Sequence, residues 1–249
     1  MLAEERKNQI LHKLSTSGQL LTADLVRDFN VSEDTIRRDL KELADALLLK
    51  KVHGGAVALT TVPYEYSSRK DLNLESKATM AQAVTKLVRD GMVIFIDGGT
   101  TCGQLPFYLP PNIRATFITH SIANALALNN LGKSRTIMLG GQVVPELLIT
   151  TGPELTAQAS RFKPDMSIIS AHGVTVADGA TVESWDDAMV KSTFVQNSAE
   201  TVVLAGQEKI GFCASYLIAA VRDISYLISD APKQKLNQFS KAGMTVWKV

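Results

Sequence analysis

From Lys77 to the C-terminus the chain alternates short β-rich apolar runs with helix-like stretches, and that alternation leaves few folds open. The runs are Val93–Asp97, Thr116–Thr119, Thr136–Leu139, Ser167–Ser170, Thr201–Ala205, Tyr226–Ser229 and Thr245–Lys248. Most of the gaps hold stretches of helical character: Ser121–Asn130, Glu154–Ser160, Asp186–Asn197, Ser215–Val221 and Lys233–Lys241. Near-continuous apolar strands separated by amphipathic helices specify a mostly parallel sheet covered on both faces. The expected class is α/β.

Before residue 60 the texture is different. Glu4–Leu14 places Ile10, Leu11 and Leu14 on one helical face, and a second helix opens at Thr22, an N-cap candidate, with Leu25, Val26 and Phe29 apolar. Asn30-Val31 makes a tight connection, and Ser32 can cap a third helix over Glu33–Ala46. Leu48–Val52 reads as a strand, His53-Gly54-Gly55 as a turn and Ala56–Leu59 as a returning strand. That order is the outline of a winged helix-turn-helix. Residues 60–76 form a polar connector without periodicity. The expected division is 1–58 for the helical head, 59–76 for the connector and 77–249 for the α/β body.

Bulk charge does not announce a nucleic-acid partner, because 26 basic residues face 25 acidic ones. Placement is more informative. On the third helix Ile36, Leu40, Leu43 and Leu47 fall within about 60° of one another, a stripe that must pack inward. Arg37, Lys41 and Arg38 fall at about 100°, 140° and 200° from Ile36, on the opposite face. Such a helix suits the major groove, where the Arg fork can hold guanine or phosphate bidentately. Ser32 and Thr35 could bond backbone phosphates, and Lys50, Lys51 and His53 on the hairpin could reach neighbouring ones. A merely solvated basic face is the competing reading, supported by Asp34 and Asp45.

In the body, the first strand ends in Asp97-Gly98-Gly99-Thr100-Thr101, followed by a helix-like stretch from about Gly103. Ligands of open parallel sheets sit beyond the carboxyl ends of strands. Converging N–H groups and a helix N-terminus there would suit an anion, with Thr100 and Thr101 as further donors. A Cβ on Gly99 is expected to crowd that anion or to forbid a positive φ. By itself the loop is equally an ordinary strand-to-helix turn. Cys102 and Cys213 give no disulfide framework, and no Cys/His spacing suggests a metal. Cys102, beside the loop, is either a reactive thiol or a small buried hydrophobe. Of His12, His53, His120 and His172 only His172 follows a strand so as to face the pocket. Asp97, Asp165 and Glu183 have no partner at a spacing diagnostic of catalysis. No catalytic residue, cofactor or metal is expected. The charged Met1-Leu-Ala-Glu-Glu-Arg-Lys start lacks a leader-like apolar region and the apolar runs are strand-sized, so a soluble cytoplasmic protein is expected.

Phe29-Asn-Val-Ser-Glu-Asp-Thr-Ile-Arg-Arg-Asp-Leu-Lys-Glu-Leu43, followed by Val52-His-Gly-Gly-Ala56, resembles the DNA-binding signature of the DeoR family of bacterial repressors. Carried over, Thr35, Arg37 and Arg38 lie on the recognition helix. Ile94-Phe-Ile-Asp-Gly-Gly-Thr-Thr101 resembles the D-x-G-T-T loop of the family's sensor domain, itself related to sugar-phosphate isomerases. Further matches run through Arg69 and Lys77, Ile118-Thr-His-Ser121, Leu139-Gly-Gly141, Gly152, Asp165, Gly173, Gly179 with Thr181, Lys191 and Lys209-Ile-Gly211. The spacing around Arg69 and Lys77 is similar to that of the glycerol-3-phosphate repressor branch. The resemblance implies a repressor of carbohydrate genes, a homo-oligomer that leaves operator DNA when a phosphorylated sugar or polyol binds. It implies an effector site drawn from Lys77, Asp97, Gly98, Gly99, Thr100, Thr101, Thr119, Ser121, Gly140, Gly141, Gly173, Lys191 and Lys209, with Asp97, Gly99, Thr100 and Thr101 nearest the phosphate. Departures are Leu47 for a helix-ending Gly, Lys51 for Arg, Ser76 for an acid, His120 in the common T-N-S, and Gly206 and Glu208 in the common L-A-D-x-S-K. An isomerase with an accessory helical domain, or a module using its head for protein partners, are the alternatives.

Overall fold

The computed structural model describes residues 2–17, 19–46, 48–57 and 62–249. The head packs α1 (Ala3–Ser17), α2 (Thr22–Phe29) and α3 (Glu33–Asp45) around Ile10, Leu14, Leu25, Phe29, Ile36, Leu40 and Leu43. The apolar stripe of α3 is therefore buried as its spacing requires; Leu47, its last expected member, lies outside the described residues. Asn30 turns the chain in the left-handed region at φ 50°, and Ser32 Oγ accepts from the Thr35 N–H at 3.2 Å to cap α3. Thr22 is not the cap of α2. It is the first helical residue, and its N–H is taken by the Gly54 carbonyl at 2.8 Å.

The wing has three antiparallel strands rather than two, because β1 (Gln19–Leu21) joins β2 (Lys50–Val52) and β3 (Gly55–Val57) in the order β1-β3-β2. Of the expected returning strand, residues 58 and 59 lie outside the described residues, as do 60 and 61 of the connector. A buried pair, Arg6 Nε to Asp39 Oδ2 at 2.5 Å and Nη2 to Oδ1 at 3.1 Å, ties α1 to α3.

The connector is more structured than its composition suggests. It contains α4 (Tyr66–Lys70), and α5 (Leu74–Thr85) begins inside its expected range. Asn73, at φ 51°, makes the bend between them.

In the body β4 (Val93–Ile96), β5 (Thr116–Thr119), β6 (Arg135–Met138), β9 (Met166–Ser170), β12 (Glu200–Leu204), β14 (Tyr226–Ser229) and β15 (Thr245–Lys248) form one parallel sheet, in the order β15-β14-β12-β9-β4-β5-β6. All seven were legible as apolar runs. Two separate apolar clusters, one around Phe95, Phe194 and Leu227 and one around Ile94, Phe117 and Ile228, flank it. Adjacent residues of one strand thus feed opposite cores, as the pleat requires. The covering helices are α6 (Leu105–Tyr108), α7 (Ile122–Asn129), α8 (Pro153–Ala159), α9 (Trp185–Asn197) and α10 (Lys233–Lys241). Two small antiparallel sheets were not anticipated: β7 (Gln142–Val144) with β8 (Ile149–Thr151), and β10 (Gly173–Thr175), β11 (Gly179–Val182) and β13 (Tyr216–Ala219). The last corrects the helix expected over Ser215–Val221: Thr181, Val182 and Ala180 of β11 pair with this segment. Among the described residues no helix is long and apolar enough to cross a membrane.

Strand order runs one way through β4-β5-β6 and the other through β9-β12-β14-β15. The reversal opens a crevice beyond the ends of β4 and β9, where ligands of such sheets bind.

Candidate effector site and nucleic-acid interface

Asp97, the residue after β4, is fully buried in that crevice. Its Oδ2 accepts from the Ser170 N–H at 2.9 Å and hydroxyl at 2.7 Å, and its Oδ1 lies 3.2 Å from His120 Nε2. The Lys191 ammonium, reaching in from α9, sits 3.2 Å from Asp97 Oδ2, 2.9 Å from Asp187 Oδ2 and 3.2 Å from the Ser170 carbonyl. Burial alone would raise the Asp97 carboxyl. Lys191, His120 and the Ser170 N–H outweigh it and hold the group well below the usual carboxylate range. Burial likewise disfavours the Lys191 charge, yet Asp187 and Asp97 raise it. Asp97, His120 and Asp187 have donor atoms close enough to share a metal ion, but the ammonium already supplies the cation between the two carboxylates.

This geometry gives much of the expected effector set partners within the protein. The three N–H donors of Lys191 meet three acceptors, and Asp97 faces Lys191, His120 and Ser170. Thr119 donates to the Ile96 carbonyl at 2.7 Å, and Ser121 caps α7 by accepting from the Asn124 N–H at 3.2 Å. Gly140 and Gly141 are exposed at the end of β6, and a Cβ on Gly141 would meet the Thr151 carbonyl. A Cβ on Gly173 would meet the Phe212 carbonyl, so Gly141 and Gly173 serve backbone packing, whereas a Cβ on Gly140 would meet nothing within 4 Å. Gly99 is required by packing rather than by a positive φ. Its φ is not positive, and a Cβ there would fall 1.8 Å from Ser170 Oγ, the hydroxyl that holds Asp97. Gly98 is similarly confined by Ile149. Thr101 is buried behind the loop.

What remains is a pocket of about 140 Å³ lined by Val62, Pro63, Arg69, Leu72, Asn73, Lys77, Thr100, Glu208 and Lys209. Three cations here face one carboxylate. Arg69, Lys77 and Lys209 are all buried, and burial lowers each. For Lys77 the neighbouring Arg69 charge adds to the fall. Lys209 is brought down to about 8, with Glu208 opposing the shift. Lys77 Nζ donates to the Arg69 carbonyl, so Lys77 also fixes the connector. Arg69 lines a second, smaller cavity as well, shared with Asp97, Gly98, Gly99, Ser170, His172, Asp187 and Lys191. His172 therefore faces the crevice, as its place after a strand suggested. Asp187 and Ser170 were not anticipated; a carboxylate four residues before the lysine on one helix face was the available signal for Asp187. Cys102 is fully buried, and burial raises its thiol well above the ordinary range, which favours the buried hydrophobe over the reactive thiol.

On the head, Arg37, Arg38 and Lys41 are exposed along α3, opposite the buried stripe, and Lys50, Lys51 and His53 are exposed on the wing. Arg37 pairs with Glu33 at 2.6 Å. Ser32 and Thr35 hydroxyls lie 2.8 Å apart at the start of α3, and Lys50 donates to Ser215 of the body at 3.1 Å.

Residues 6–62 match the DeoR-like helix-turn-helix domain, and residues 72–231 match the DeoR C-terminal sensor domain. The chain belongs to the DeoR family. Among its relatives, the HTH-type transcriptional regulator GlpR of Haloferax volcanii is 29% identical over 99% of this chain and 98% of its own. The glycerol-3-phosphate regulon repressor of Escherichia coli is 28% identical over 93% of this chain and 92% of its own. A distant likeness to ribose 5-phosphate isomerase A of Methanocaldococcus jannaschii has 19% identity and a TM-score of 0.41, over 55% of this chain and 54% of that one.

Two departures of this DeoR protein from the family pattern are linked in space. A Cβ on Gly206 would lie 2.5 Å and 2.6 Å from the Glu208 carboxylate oxygens. The carboxylate that the common motif carries at 206 is thus replaced by one that folds back from 208, in the space that a side chain at 206 would fill. His120, the third departure, lies between two acceptors, Asp97 Oδ1 and the Thr150 carbonyl at 3.1 Å.

Proposed function

We propose that this DeoR-family regulator is a repressor of carbohydrate genes that binds operator DNA through α3 and the wing, as a homo-oligomer, and leaves it when a phosphorylated sugar or polyol occupies the body. One observation carries the effector half: three buried cations, Arg69, Lys77 and Lys209, line a pocket with a single carboxylate beside the Thr100 loop. An anion there relieves the repulsion that lowers Lys77 and adds charge-assisted bonds in a poorly solvated site. Because Arg69 and Pro63 belong to the stretch leading from the head, an anion at Arg69 acts directly on the connector. Effector binding then favours an arrangement in which paired heads no longer match half-site spacing. The related proteins named as glycerol-3-phosphate repressors support a polyol phosphate, and the regulator names along the full chain favour this reading over an isomerase.

The test combines operator and effector. A labelled duplex from upstream of the protein's own gene is titrated with protein, then with a panel of sugar and polyol phosphates, and anisotropy is followed. Wild-type protein should release DNA with one member of the panel, whereas Lys209→Met should bind DNA normally and release it at least tenfold less readily. The affinity should also depend on pH. Lys209 titrates at about 8 and the anion prefers its charged form, while a phosphate monoester stays a dianion above its second pKa of about 6. Effector affinity should therefore hold near pH 7 and fall as pH rises through 8. A flat profile to pH 9.5, or normal release by Lys209→Met, would remove Lys209 from the site.

A further inference from the structure

Among the described residues five buried side-chain polar atoms have no hydrogen-bond partner, and three of them belong to two residues that line one cavity: His172 Nδ1, His172 Nε2 and Asp187 Oδ1. Both residues are more than nine-tenths buried, and both line the smaller cavity behind Gly98 and Gly99. Buried polar groups in folded proteins are almost always satisfied, so a cluster of orphans in a cavity marks a missing ligand or water. We propose that this cavity is a hydroxyl-binding subsite, which takes an uncharged vicinal diol of the effector through His172 and Asp187. The inference rests on the anion reading above, since Arg69 lines both cavities and would bridge the anionic and hydroxylated ends.

The available atoms define the ligand chemistry. Burial, followed by the charges of Arg69, Lys209 and Lys191, lowers His172 to about 2, so its ring is neutral and offers one donor and one acceptor. Asp187 Oδ1 offers a second acceptor; His120 Nε2 is 3.9 Å from it, beyond hydrogen-bond reach. One hydroxyl donating to Asp187 Oδ1 while its neighbour bonds one ring nitrogen of His172 uses two of the three atoms, and the other nitrogen, on the far side of the ring, is left for a water or a further hydroxyl. Asp97 and Asp187 balance Arg69 and Lys191 around the space, so its lining has no excess charge and suits an uncharged group. The cavity measures only about 10 Å³, room for about one water. A diol therefore enters only as the cover gives way, and that cover is the connector: Tyr64 stacks on His172, with ring centroids 6.3 Å apart and planes at 17°, and Arg69 closes the adjoining wall.

Affinities of the full chain are measured by calorimetry for inorganic phosphate and for glycerol 3-phosphate, erythrose 4-phosphate, ribose 5-phosphate, fructose 1-phosphate and fructose 6-phosphate. At least one organic phosphate should bind tenfold or more tightly than inorganic phosphate. His172→Phe should abolish that advantage while leaving inorganic phosphate unchanged, and His172→Gln, which keeps a donor and an acceptor, should retain part of it. His172→Leu replaces the Phe variant if the larger ring prevents folding. The proposal is overturned if no organic phosphate exceeds inorganic phosphate, or if the advantage survives in the apolar variants; the cavity then holds a structural water. Failure of inorganic phosphate to bind, with a sugar phosphate that still depends on His172, would instead overturn the anion reading alone.

Discussion

Lys191→Met is expected to cost the protein about 3–5 kcal/mol of stability at pH 7, the usual consequence of removing one partner from a buried ionic cluster. The ammonium is the shared partner of Asp97 and Asp187, both nearly inaccessible to water, and among the described residues no other Lys or Arg lies within 4 Å of either; the His120 ring lies 3.2 Å from Asp97 and 3.9 Å from Asp187. The pH dependence identifies the cause. In the wild type the Asp97 carboxyl is held below its unfolded value, so its contribution is present above about pH 4 and is lost as pH falls further. Without the ammonium, burial still opposes ionisation while the largest favourable charge on Asp97 is gone, so its carboxyl moves up toward its unfolded value and the acid-side loss of stability is shallower in the variant. Urea unfolding followed by circular dichroism between pH 3 and 8 measures both effects. A loss below about 1 kcal/mol at pH 7, or an acid-side slope as steep as that of the wild type, would show that the cluster does not depend on Lys191.

That the sequence placed Lys191 in an effector set, and the fold places it inside the body, illustrates where a linear reading stops. Strands were legible because burial on both faces forces continuous apolar runs, as in Ile94–Ile96 and Val202–Leu204. The α3 stripe was legible because its periodicity and its cap lie within one helix. Asp97, Ser170 and Lys191 meet only because β4, β9 and α9 converge, and no local spacing carries that information. The three-residue strands β7, β8 and β10 and the four-residue β13 escaped for a related reason. They are too short for an alternation to emerge, and the exposed Tyr216 and Leu217 beside buried Ile218 and Ala219 fit a short helix as well as a strand edge. Motif matching located the residues of the pocket but not their tasks. A glycine, a capping serine and an ion-pairing lysine are each demanded by the architecture that surrounds a ligand as strongly as by the ligand.

Arg38→Ala and Arg37→Ala should each weaken binding to the duplex upstream of the protein's own gene by about 1–3 kcal/mol where the lost contact is to a base. Where it is to a phosphate, affinity should fall across all sequences and the salt slope should drop by about one. The Arg37–Glu33 pair does not protect against this, because an exposed i,i+4 pair contributes only about 0.3–0.5 kcal/mol and yields readily to a phosphate or guanine. Both side chains point away from the Ile36, Leu40 and Leu43 stripe, so the melting temperature should stay close to that of the wild type. That distinguishes them from their neighbour. Asp39 is buried against Arg6, and Asp39→Ala would leave the guanidinium without its partner between α1 and α3, so DNA binding would be lost through unfolding of the head. Three adjacent residues of one helix should thus separate into two whose loss weakens DNA binding alone and one whose loss unfolds the head, and measuring affinity beside thermal stability for each distinguishes the roles. If Arg37→Ala and Arg38→Ala both bind the duplex as wild type does, at low and at high salt, α3 is not the recognition helix.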